Sequence, residues 1–180
     1  SRLLSGLHLR GPRSRPSTDS LVQYADAAAN AGVIQLTHNT PLVGHGGWGD
    51  GRLGNFLQSG ILLSDYALIQ DLQELHLPDG SSPESVLTPA LLAKLNALGD
   101  EAAAHFRQVL PAALESSNQV LVLTHVPPFR EACWHQGQLS DDNWAPHFTC
   151  QAVGHVLLEF MQKYPNKKMT VLCGHTHSSG

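Results

Sequence analysis

Charge is scarce in this chain: Lys, Arg, Asp and Glu make up 14% of its 180 residues, and the formal net charge is −4. Neither figure makes an electrostatic case for nucleic acid or an anionic membrane as partner. Cysteine is scarcer still. Cys133, Cys150 and Cys173 are odd in number, far apart and without C-x-x-C spacing. That argues against a disulfide framework or a zinc ribbon and fits a reducing cytoplasm, the default localisation. No apolar run approaches the roughly 20 residues of a membrane span, and nothing near Ser1 has the basic, apolar, small-residue order of a secretory leader. Internal repeats and low-complexity stretches are absent too. Hydrophobic residues, at 42%, suit a single domain over 1–180 with a sizeable core.

Histidine, by contrast, is plentiful, with 11 copies. Met169–Cys173 is a short apolar run that predicts a buried strand, ended sharply by Gly174, with Cys173 packed inside it. His175 and His177 stand just past its end. Gln119–Thr124 repeats the grammar and runs into His125-Val126-Pro127-Pro128-Phe129, where two prolines stiffen the loop behind the histidine. Between them, Cys150–Tyr164 reads as a helix opened after Thr149, with Val153, Leu157, Phe160 and Met161 on one face. Strand, helix and strand imply a right-handed crossover, so both strand exits lie on one edge and His125, His175 and His177 can converge. Imidazole is the commonest protein ligand for transition metals.

The rest of the chain reads as α/β. Arg2, Arg10, Arg13 and Arg15 lie in an irregular first stretch, residues 1–19. Ser20-Leu21-Val22-Gln23 has the form of a capping box opening a helix to about Asn30, closed by Gly32. Val33–Thr37 is a strand, His38–Pro41 a turn and Leu42-Val43 a further strand. Six glycines then fall between Gly44 and Gly54 and carry His45, Trp48, Asp50 and Arg52. No G-K-[ST] follows, so this is not a P-loop. Arg52 can clamp a phosphate, Asp50 can orient it or a metal-bound water, and His45 can wall a substrate pocket. The alternative is that Asp50 and Arg52 pair structurally in a tight hairpin. Ser64 is placed to cap a helix with Leu68, Leu72 and Leu75 on one face, turned by Pro78-Asp79-Gly80. Thr88-Pro89 opens a long helix through Leu91, Leu95, Leu98, Ala102, Phe106 and Val109, which Pro111 should kink or end. His105 on it reads as packed or exposed rather than as a ligand. The long Arg130–Phe148 loop is either a functional rim or a segment simply anchored by Trp134 and Trp144.

Thr124-His125-Val126-Pro127-Pro128, followed about fifty residues later by Cys173-Gly174-His175-Thr176-His177, resembles the two C-terminal metal motifs of the calcineurin-like metallophosphoesterases. Gly47–Arg52 and Leu62–Tyr66 resemble a bacterial branch of that superfamily, and the likeness runs from about Val33 onward. It implies an α/β sandwich of mixed β-sheets flanked by helices, incomplete here at both ends. It also implies two divalent ions (Mn, Fe or Zn), with His125 and His175 sharing one and His177 holding the other. The implied activity is hydrolysis of a phosphomonoester or phosphodiester, on a small molecule or a protein, by water activated between the ions. The superfamily's N-terminal motifs D-x-H, G-D-x-x-D and G-N-H-[DE] do not occur: Gly49-Asp50 continues as Gly51-Arg52, and Gly54-Asn55 as Phe56. This chain is therefore expected to supply the C-terminal histidine half of such a site, with self-association through exposed sheet edges. The competing reading is a non-catalytic α/β module that keeps the fold and binds a structural metal or a protein partner.

Overall fold

The computed structural model describes residues 32–73, 75 and 87–176. The expected helix at Ser20–Asn30, the Pro78–Gly80 turn and His177 lie outside the described residues. Val33–Thr37 (β1) and Thr40–His45 (β2) form an antiparallel hairpin. Only His38 and Asn39 make its turn, so Thr40 and Pro41 belong to β2 rather than to the turn. Pro41 lies at the start of β2, before pairing with β3 begins at Leu42, a strand end where a residue without an N–H is tolerated.

The glycine-rich stretch and a 3₁₀ turn at Phe56–Gln58 lead to two single-turn helices, α1 (Asp65–Leu68) and α2 (Gln70–Gln73). The single helix expected here is broken at Ile69, which is extended at φ −83°, ψ 116°. Ser64 lends its carbonyl and not its side chain to α1. The break has a packing cause: Leu72 is buried with Phe56, Tyr66, Leu91 and Leu95, while Leu68 is 80% exposed. A continuous helix would put both on one face.

Helix α3 (Pro89–Ser116) starts where the sequence says it should, with Thr88 Oγ1 accepting the Leu91 N–H at 3.0 Å and donating to the Leu75 carbonyl at 3.0 Å. Pro111 does not end it, and the helix continues to Ser116. The carbonyl deprived of a partner is that of Arg107, an exposed residue, so water can satisfy it. Strand β3 (Gln119–Thr124) follows. The next loop folds into a small hairpin, β4 (Trp134–His135) and β5 (Gln138–Leu139), then a one-turn helix α4 (Ala145–Phe148). Helix α5 (Gln151–Lys163) and strand β6 (Lys168–Leu172) complete the described chain.

Strand order is β1-β2-β3-β6, with β2, β3 and β6 parallel. Alternation along the strands turns Val43, Val120 and Val122 to the face where Phe106, Leu110 and Leu114 of α3 and Val153, Val156 and Leu157 of α5 join them in one core. Each such burial contributes about 1.5–3 kcal/mol relative to exposure. The other face carries Ile34, Leu42, Leu121 and Leu123, all half-buried. The architecture is thus mixed α/β, with a mixed sheet flanked by helices. Among the described residues no helix is long and apolar enough to cross a membrane.

Candidate functional site

Because β2, β3 and β6 are parallel, their C-terminal ends share one edge of the sheet, and each leads into a histidine. His45 closes β2, His125 follows β3 directly, and His175 comes three residues after β6. Strand β6 ends at Leu172, so Cys173 leaves the strand and is exposed instead of packed in the core. The extra residues let the chain cross towards β3, where the Gly174 N–H donates to the His125 carbonyl at 3.0 Å. His175 then sits at φ +71°, within a three-residue turn closed by the Thr176 N–H on the Gly174 carbonyl at 2.9 Å. Such a γ-turn is rare and strained, and backbone strain of this kind clusters at ligand sites. It brings the His175 ring to 4.7 Å from the His125 ring, centroid to centroid.

Aromatic rings flank the pair, in which His125 stays exposed and His175 is half-buried. Trp48 stacks on His125 at 5.6 Å and 20°, and meets His175 edge-on at 5.1 Å. Phe148 lies 4.8 Å from His175 on another side. Trp48 Nε1 is buried with no hydrogen-bond partner among the described residues.

His45 is on the same edge and packs against α3. Its Nδ1 accepts the Gly47 N–H at 3.0 Å, and its ring packs on His105 at 5.1 Å and Phe106 at 6.5 Å. The space it shares with His125 is only about 10 Å³, close to the minimum for one water. His105, on α3, is half-buried and its Nε2 lacks a hydrogen-bond partner among the described residues.

Asp50 is fully buried and its carboxylate is committed. Oδ1 accepts the Arg52 N–H at 3.1 Å, while Oδ2 takes the Ala152 N–H at 2.8 Å and Arg52 Nη1 at 3.2 Å. It caps α5 from 102 residues away, where Cys150, the residue at the cap position, offers no side-chain bond. A carboxylate at a helix N-terminus is also favoured by the helix dipole. The backbone joins in: the Asp50 N–H donates to the Thr149 carbonyl at 2.9 Å, and Asn96 Nδ2 donates to the Asp50 carbonyl at 2.7 Å. Gly99 makes room, since a Cβ there would lie 2.5 Å from Asp50 Cβ. Arg52 continues to Asp100 at 2.8 Å. Burial opposes its charge, but the bonds to Asp100 and Asp50 outweigh that and raise its pKa. The neighbouring Cys150 thiol is pushed up to about 12 by burial and the Asp50 charge, so it stays protonated. Asp50 and Arg52 are joined as the structural pairing requires, with the Asp50 carboxylate engaged by Arg52 and the first turn of α5.

His147 had no signal in the sequence, because its partners are distant in the chain. Fully buried, it bonds Tyr66 Oη through Nδ1 at 2.7 Å and Ser59 Oγ through Nε2 at 2.9 Å. Ser59 gives its only hydroxyl proton to the Asn143 carbonyl at 2.8 Å, so His147 donates from Nε2 and accepts from Tyr66. Burial lowers the His147 pKa to about 4 and raises the Tyr66 hydroxyl above its usual range. Both are neutral structural groups.

Among the described residues no three His, Cys, Asp or Glu side chains are grouped to hold a metal ion. His125 and His175 offer two neutral nitrogen donors, and His177 lies outside the described residues. Comparison of the chain with protein-family models, with curated proteins and with solved structures found no match.

Proposed function

We propose that this chain is the histidine-bearing part of a metal-dependent phosphoesterase of the calcineurin-like kind, hydrolysing a phosphomonoester or phosphodiester. The observation that supports it most is the His125–His175 pair, with rings 4.7 Å apart at the ends of adjacent parallel strands. The described residues do not fit a dinuclear centre by themselves. Two ions need carboxylates to offset their charge, and Asp50, the acidic residue of the glycine stretch, is occupied elsewhere. His125 and His175 would supply imidazole donors, with His177 as the third. Trp48 would steady both rings by packing on them, and Phe148 would steady that of His175.

A second reading, a non-catalytic α/β module that retains the fold and one metal or a partner, is favoured by that same commitment of Asp50. Metal analysis and turnover of 4-nitrophenyl phosphate with added Mn²⁺ separate the two. The phosphoesterase reading expects bound metal and turnover, both reduced at least about 100-fold in His175→Ala. Metal without turnover would favour the module. Neither metal nor turnover, with wild type and variant alike, would sink the phosphoesterase.

A further inference from the structure

A cleft of about 550 Å³ opens directly beside His175, between the β4–β5 hairpin, α4 and the start of α1. That volume suits a small organic molecule. Its wall is a run of rings. His135 and Trp144 lie nearly parallel, 6.4 Å apart at 18°; Trp144 meets Phe148 at 5.7 Å, and Phe148 meets His175 at 4.8 Å. Trp144 is 42% exposed, so much of its indole remains available to a ligand.

The support behind these rings is rigid. Asp141 Oδ1 accepts the Asn143 and Trp144 N–H groups, each at 3.0 Å, and the Asp141 carbonyl accepts from Ala145 at 2.9 Å. Opposite, Gln136 and Gly137 have φ of 51° and 78°, the two left-handed residues of a tight hairpin turn. His135 Nδ1 is 3.1 Å from the Thr176 carbonyl, which fastens that hairpin to the His175 turn. Asp65 and Asp141 add two acidic side chains to its lining. They repel an anion and accept hydrogen bonds from ring substituents.

We propose that this cleft binds an uncharged planar aromatic ring. Resting on the phosphoesterase reading, that ring is the organic part of the ester, with its phosphate directed away from the two carboxylates and towards His175. The substrate class is then an aryl phosphate or a nucleoside phosphate, and polyanions and aliphatic esters are disfavoured.

The ring site is testable without phosphate or metal. Ligand-observed NMR titration would compare adenosine, benzyl alcohol, cyclohexylmethanol and benzoate. Adenosine or benzyl alcohol should bind at least about tenfold more tightly than cyclohexylmethanol, lose about tenfold or more in Trp144→Ala and keep most affinity in Trp144→Phe. The tighter of the two aromatic ligands identifies the source, base or aryl group. Benzoate should bind about tenfold more weakly than benzyl alcohol, with the gap narrowed in Asp65→Asn, a variant on a partly exposed position. No aromatic preference, no binding, or affinity unchanged in Trp144→Ala with the variant's unfolding curve intact would overturn the proposal. Ring binding without ester turnover would instead remove the phosphoesterase reading and leave the cleft assignment standing.

Discussion

A neutral histidine locked between a tyrosine and a serine makes stability depend on pH. The His147 pKa is lowered from 6.5 to about 4 by burial. Between those values the unfolded chain binds a proton that the folded chain refuses. The contribution is therefore complete above about pH 6.5 and is lost as pH falls towards 4, at up to about 1.4 kcal/mol per pH unit. Denaturant midpoints from pH 7 to 4.5 should show this slope, and His147→Asn should flatten it. Asp50 gives a second contrast at this scale. Asp50→Ala strands the Ala152 and Arg52 donors and should cost about 3 kcal/mol in urea unfolding. Asp100→Ala removes a partner that is 67% exposed and should cost less than about 1 kcal/mol. The Asp50–Arg52 pairing was legible because the two are neighbours in the chain. Its third partner was not, since nothing local connects position 50 with the amide of Ala152. The histidine pair was legible for the opposite reason: each ring follows its own strand, and parallel strands deliver both to one edge.

Elements whose boundaries are set by local chemistry emerged correctly. Val33–Thr37 and Gln119–Thr124 are runs of β-formers with clear stops, and Thr88-Pro89 carries its own cap. The break at Ile69 was hidden because it is decided by where Leu72 finds its core, a tertiary choice. Pro111 misled for a related reason: its cost is real, but the long apolar face of α3 outweighs it. Pro111→Ala should restore the helix bond to Arg107 and raise stability by about 2 kcal/mol, read from the thermal midpoint. Gly99→Ala is the instructive opposite. Helix propensity alone favours alanine by about 1 kcal/mol, yet its methyl would meet Asp50, so a net loss of about 1–3 kcal/mol is expected.

For the whole molecule, the sheet's unequal faces matter most. Helices α3 and α5 cover one face, whereas Leu36 on β1 and Leu172 on β6 are each 51% exposed on the two edge strands. Among the described residues these edges have no further strand beside them, and edges with apolar side chains favour pairing between copies. Sedimentation velocity should show concentration-dependent association that Leu36→Lys/Leu172→Lys suppresses; a monomer at all concentrations would refute it. Within one copy, the buried Asp50 fastens the glycine stretch to the first third of α3 and the first turn of α5. These distant segments must open together or not at all. In deuterium exchange the Asp50 and Ala152 amides should then be as slow as those of the central strands. The stretch whose composition promises the greatest freedom would be among the last to give up its protons.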